Sequence, residues 1–231
     1  MNILTRKAMA LLEKPLLKAG TVLAVRAWAP ATFYEIDLHL PDTDMSNWQS
    51  VQHMKCKVAE ATYRDYTPAG WDAETRTCTL YIDTAHDGAG SRWASSLAQN
   101  DTIYHVGIAS ALHKPVADHT LLCLGDSSSL GHFLALQQLA APDAAITGAI
   151  AFTSQAHTHL FTEYFRLPLT ALTATTAQQQ QQLSAWLNRQ NFPNNTTAYI
   201  TGHIPTAQQL RRQLRQRKDM SGSIKVNGFW S

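Results

Sequence analysis

From Thr21 to about Ser110 apolar and polar residues alternate with a period of two. In FYEIDLHL, Tyr34, Ile36, Leu38 and Leu40 alternate with Glu35, Asp37 and His39; in QHMKCKV, Met54, Cys56 and Val58 alternate with lysines. RTCTLYI sets Cys78, Leu80 and Ile82 against Thr79 and Tyr81. Such alternation predicts strands with one buried face, and PDTD, PAGWD and HDGAGS read as the turns between them. With TVLAVRAW before and TIYHVGI after, about six strands are predicted, enough for an antiparallel barrel or sandwich.

Beyond the linker ALHKPVADH the texture changes. TLLCLG is a continuous apolar run, the pattern of a parallel strand buried on both faces. The helical stretch LGHFLALQQLA, the run AITGAIAF and a helix around His157–Phe165 follow. LPLTALT, the helix AQQQQQLSAWLNRQ, the strand TTAYIT and the helix TAQQLRRQLRQRK complete the series. Strands alternating with helices of this length predict βαβ units. The glutamine run is read as the solvated face of a helix whose Leu183, Trp186 and Leu187 face inward. The expected organisation is a barrel over residues 1–114, opened by an amphipathic N-terminal helix, and a Rossmann-like α/β domain with a parallel sheet over 115–231.

Composition narrows the function little. The chain has 231 residues, 45% hydrophobic and 16% charged, with a net charge of +2. That balance gives no overall basic excess of the kind nucleic-acid binding calls for. Three scattered cysteines, Cys56, Cys78 and Cys123, form no CxxC, which argues against a zinc–thiolate or iron–sulfur site built from this chain alone. They read instead as reduced thiols. Glu13 and Lys14 interrupt the first apolar run, and no later segment is long and apolar enough to span a bilayer. The expectation is a cytoplasmic protein without an integral membrane segment.

Candidate chemistry gathers at two places in the first half. YRDYT puts Arg64 and Tyr66 on one face of an extended chain, followed by Thr67. A guanidinium grips phosphate oxygens as a fork, and a phenol ring offers a stacking surface. The bland reading is a strand edge with ordinary aromatics. The second place is HDGAGSRWA, where Gly88 and Gly90 allow close backbone approach and Ser91 is a candidate N-cap for a helix beginning at Arg92. A glycine-rich turn entering a helix suits a phosphate, and the bland reading is a plain turn. Three further motifs are weaker. The pair His157 and His159 has no carboxylate or Cys neighbour to complete a metal site and reads as two polar side chains at the surface. LCLGDSSSLG offers Ser127 as a nucleophile, yet the Asp-x-x-His spacing of Asp83 to His86 precedes that serine. Arg211, Arg212, Arg215, Arg217 and Lys218 form a basic helix, either a solvated face or an attractor of anions.

In combination these segments resemble the siderophore-interacting proteins, FAD-dependent ferric-siderophore reductases of the ferredoxin-reductase-like superfamily. The matching stretches are YRDYT, AHDGAGSRWA, NDTIYHVGIAS, LLCLGDSSSLGHFLAL, TGHIPTAQQLRRQL and NGFW. Pro68-Ala69 stand where that family has an arginine, and Ser127 where it has an acid, so the chain resembles a diverged or shortened member.

The resemblance implies a barrel that binds FAD and a second domain that accepts NADH or NADPH. It implies flavin contacts from Arg64, Asp65, Tyr66 and Thr67, phosphate contacts from His86, Gly88, Ala89, Gly90 and Ser91, a nicotinamide-side role for Gly125 and Asp126, and a ring cover from Phe229 or Trp230. Between Lys114 and Arg189 the one cation is Arg166, which favours NADH over NADPH. The implied activity is reduction of Fe(III) in a ferric siderophore, with no general acid or base required of the protein. A general flavin reductase, a non-catalytic nucleotide-binding module and a GDS-type serine hydrolase at Ser127 are the alternatives.

Overall fold

The computed structural model describes residues 17–231, so the expected N-terminal helix lies outside the described residues. Seven antiparallel strands come first: β1 (Lys18–Trp28), β2 (Phe33–His39), β3 (Gln52–Ala59), β4 (Thr62–Tyr66), β5 (Pro68–Asp72), β6 (Thr77–Asp83) and β7 (Thr102–Ser110). Helix α1 (Ala89–Ser96) lies between β6 and β7. The sheet order is β4-β3-β7-β1-β2-β6-β5. β4 and β5 are one extended stretch interrupted at Thr67; the first part pairs with β3 and the second with β6. That single stretch therefore joins the two ends of the sheet and closes it as a barrel.

The seventh strand corrects the sequence reading, which took PAGWD for a turn. Pro68 cannot donate a ladder hydrogen bond, and it sits where the stretch changes partner, so its missing N–H interrupts no central ladder. The alternation otherwise holds: Met54, Cys56, Val58, Cys78, Leu80 and Ile82 all point into the barrel core.

The second sheet is parallel throughout, in the order β10-β9-β8-β11-β12. Its strands are β8 (Thr120–Asp126), β9 (Ile146–Phe152), β10 (Thr170–Thr173), β11 (Thr196–His203) and β12 (Ile224–Trp230). A 3₁₀ turn, Ser127–Ser129, leads into α2 (Leu130–Leu139); α3 (Gln155–Tyr164), α4 (Thr176–Asn188) and α5 (Ile204–Arg215) follow. Leu183, Trp186 and Leu187 are buried on α4, as the pattern predicts. The NGFW segment ends β12, an element the periodicity did not signal. The strand order reverses between β8 and β11, so a crevice opens beyond their carboxyl ends.

One core runs across both sheets. Trp28, Phe33, Val51 and Ala69 of the barrel pack with Phe133, Phe152, Phe161 and Tyr199 of the α/β half. Among the described residues no helix is long and apolar enough to cross a membrane.

Candidate functional site

A cleft of about 500 Å³ opens between the end of the barrel and the carboxyl ends of the parallel strands. Arg64, Asp65, Tyr66 and Thr67 form one wall, and His86, Gly88, Gly90 and Ser91 another, with Trp230 opposite. Nine of the sequence-predicted site residues thus meet around one space. The corner at Thr67 explains the first wall, because a strand changing partners turns its last side chains toward the neighbouring half.

Helix α1 starts earlier than expected. Gly88, not Ser91, is its N-cap, and the first intrahelical bond runs from Arg92 N to Gly88 O at 3.0 Å. The N–H groups of Ala89, Gly90 and Ser91 therefore precede that ladder. Ser91 falls inside the first turn, 8% exposed, and its Oγ has no protein partner. Gly90 lies against the R-x-Y-T strand: a Cβ there would come within 2.5 Å of the Tyr66 hydroxyl and 3.3 Å of Arg64 Cγ. Any side chain would push the helix off the wall.

Tyr66 stacks on Trp93 of α1, centroids 5.5 Å apart and planes within 17°. Burial pushes its phenol pKa upward, so the hydroxyl stays protonated. Arg64 is exposed at the rim, and its Nη1 donates to the Tyr63 carbonyl at 2.8 Å. Trp230 stands between two imidazoles, stacked parallel on His86 (5.7 Å, 7°) and tilted against His203 (4.4 Å).

Gly125 and Asp126 do not line the cleft. Asp126 is buried and fastens strand ends together, accepting from Ser128 N at 3.0 Å and His203 N at 2.7 Å. Gly202, at φ +99°, leaves room for that carboxylate, which a Cβ would approach to 2.4 Å. Burial raises the Asp126 pKa, and the nearby Asp83 carboxylate adds to the rise, while the donated hydrogen bonds oppose it. Gly125 lies under Ser129, whose Oγ fills the space a Cβ would take. Ala89 does not line the cleft either; it packs, partly buried, against the barrel core.

Ser127 is 3% exposed and donates its hydroxyl to Asp83, tying β8 to the end of β6. No imidazole takes its proton, so the arrangement lacks the base a nucleophilic serine needs. His157, expected at the surface, is buried: its Nε2 meets the Pro30 carbonyl at 2.9 Å and its ring stands edge-on to Trp28. Among the described residues no group of three or more His, Cys, Asp or Glu could hold a metal. The basic helix starts at the cleft end of β11 and runs away from it, so at 1.5 Å per residue Arg211 to Arg215 lie roughly 10–17 Å along the axis from Ile204.

Sequence reasoning missed Tyr81, Asp87, Ser128 and Gly131, which also line the cleft. One signal was present. Cys78, Leu80 and Ile82 point inward, so Tyr81 and Asp83 must point outward just before the glycine turn.

No protein-family model matches this sequence, and no curated protein matches it. Solved structures do resemble it. The siderophore-interacting protein from Acinetobacter baumannii aligns with a TM-score of 0.77 at 12% identity, covering 93% of this chain and 90% of that one. A siderophore utilization protein from T. fusca gives 0.70 at 20% identity over 93% and 92%. A ferredoxin NADP+ reductase from Neisseria gonorrhoeae with bound FAD and NADP gives 0.66 at 13% over 92% and 98%. The fold is ferredoxin-reductase-like. Siderophore-interacting proteins are among its structural neighbours, and the barrel-then-parallel-sheet order read from the sequence is that fold's order.

Proposed function

We propose that this chain is a flavin-dependent, NAD(P)H-linked oxidoreductase that reduces Fe(III) in ferric siderophores. In this reading residues 1–114 hold FAD and residues 115–231 receive the nicotinamide nucleotide. The observation that carries it is the helix α1 terminus: Gly88, Gly90 and Ser91, whose buried Oγ has no partner, line the cleft beside Arg64 and Tyr66, at the turn whose first N–H groups have no intrahelical acceptor. Those donors suit a phosphate group, since a helix N-terminus and a guanidinium both favour an anion. The flavin, when bound, supplies hydride acceptance and one-electron donation. The chain's own tasks are to hold the phosphate with Arg64 and α1, to confine the ring between the Tyr66 and Trp230 walls, and to shield it from water.

Iron leaves a siderophore on reduction because hard oxygen ligands favour Fe³⁺ over Fe²⁺. NADH is the proposed donor rather than NADPH: α5 carries its arginines away from the cleft, and the segment after β9 offers His157 buried against Trp28 instead of a cation. The site is proposed to act in the cytoplasm. Anaerobic mixing tests the reading. NADH should bleach the flavin-loaded protein and a ferric siderophore should restore the colour; bleaching without restoration would leave a flavin reductase with another acceptor.

A further inference from the structure

We infer that the cleft recognises a flavin only as far as its first phosphate, so that FMN and FAD bind alike and exchange with solution. The inference rests on the flavin reading above and concerns how much of the molecule the protein grips. Among the described residues Arg64 is the sole Lys or Arg lining the cleft, against three carboxylates, Asp65, Asp83 and Asp87. Two of the lining carboxylates already hold a cation each. Lys55 pairs with Asp65 at 2.8 Å and Arg92 pairs with Asp87.

A single phosphate has three oxygens to satisfy, and the guanidinium, the α1 N–H groups and Ser91 Oγ match that demand. A second phosphate would extend past Gly88 toward the Arg92–Asp87 ion pair, whose charges offset each other, so no further unpaired cation among the described residues lines the cleft to meet it. The position where the resembled family places an arginine cannot help. Pro68 pairs with β6, and Ala69 is buried in the core shared by the two halves.

An adenine ring meets the same shortage. The lining aromatics are Tyr66, Tyr81, Phe229 and Trp230. Tyr66 and Trp230 are the walls assigned to the flavin ring itself, and Tyr81 stands edge-on to Phe165 in the shared core. Phe229 sits beside His132 on the parallel-sheet wall, across from α1. No free ring is left on the phosphate side among the described residues. The adenylate half of FAD would hang in solvent and add little affinity.

The test is a fluorescence titration of the full chain with riboflavin, FMN and FAD. FMN and FAD should agree within about threefold, and riboflavin should bind at least about tenfold more weakly for want of the phosphate's contacts with Arg64, α1 and Ser91. Arg64→Ala should weaken FMN by about tenfold, toward the riboflavin value, with Arg64→Lys in between. Dialysis should strip the flavin. FAD binding some thirtyfold more tightly than FMN, or surviving dialysis, overturns the inference while leaving the flavin reading intact. FMN no tighter than riboflavin also overturns it. Failure of all three flavins to bind removes the flavin reading itself.

Discussion

The two halves of this molecule meet twice, and the meetings are opposites. At the seam, Trp28 and Phe33 of the barrel interlock with Phe152, Phe161 and His157, all fully or nearly fully buried. At the cleft the same two halves face each other with Arg64, Asp83, His86 and Ser128 across an open space. Helix α2 serves both: Gly131 lines the cleft, and Phe133 enters the seam. The seam fixes the spacing of the walls, so the cleft is built before any ligand arrives. Binding energy is then spent on the ligand rather than on assembling the site.

The largest expected effect breaks the seam. Phe152→Ala should cost about 3–5 kcal/mol, as truncating a fully buried ring does. Denaturant unfolding should still show a single transition for both halves; two separated transitions would mean that the seam does not unite them.

The second concerns the layer between seam and cleft. His113 and His132 share a hydrogen bond at 2.9 Å, and both are buried. Burial lowers the His113 pKa from 6.5 to about 4, and burial beside His113 drives the His132 pKa well below its usual value. The unfolded chain takes up protons below pH 6.5 that the folded chain refuses until about pH 4. Stability is therefore full above 6.5 and falls as pH drops toward 4, by on the order of 2–3 kcal/mol for His113. Urea midpoints compared at pH 7.5 and 5 check the sign, and a flat profile would contradict it.

Cleft substitutions should do the reverse and spare the fold. Arg64→Ala should weaken binding of a phosphate-bearing flavin by about tenfold and leave stability within about 0.5 kcal/mol, because its side chain is exposed at the rim. The smallest effect is the most telling. Ser91→Ala removes a buried hydroxyl that lacks a partner, so the free protein should be as stable or up to about 1 kcal/mol more stable, while flavin binding falls several-fold. A loss of stability on that change would mean that Ser91 serves the fold rather than a ligand.

These contrasts also show what one-dimensional patterns carry. Alternation revealed the barrel strands because a strand with one buried face writes its period directly, and apolar runs revealed β8 and β9 because both their faces are buried. The corner at Thr67 was hidden, since Pro68 and Gly70 read locally as a turn while their pairing with β6 is a long-range fact. The lining of the cleft was legible where it rests on local chemistry, at Arg64 to Thr67 and at His86, Gly88, Gly90 and Ser91. It was illegible where roles depend on packing. Asp126 resembled a ligand contact and is a buried fastener, and His157 resembled a solvent-facing side chain and is part of the seam.

The central claim, that the cleft between the two sheets holds a flavin, is tested most directly by titrating the purified chain with FAD and following the visible flavin band. The account predicts a saturable one-to-one perturbation that Arg64→Ala and Ser91→Ala both weaken without unfolding the protein. A spectrum unchanged by protein, or a binding curve indifferent to both substitutions, would contradict it.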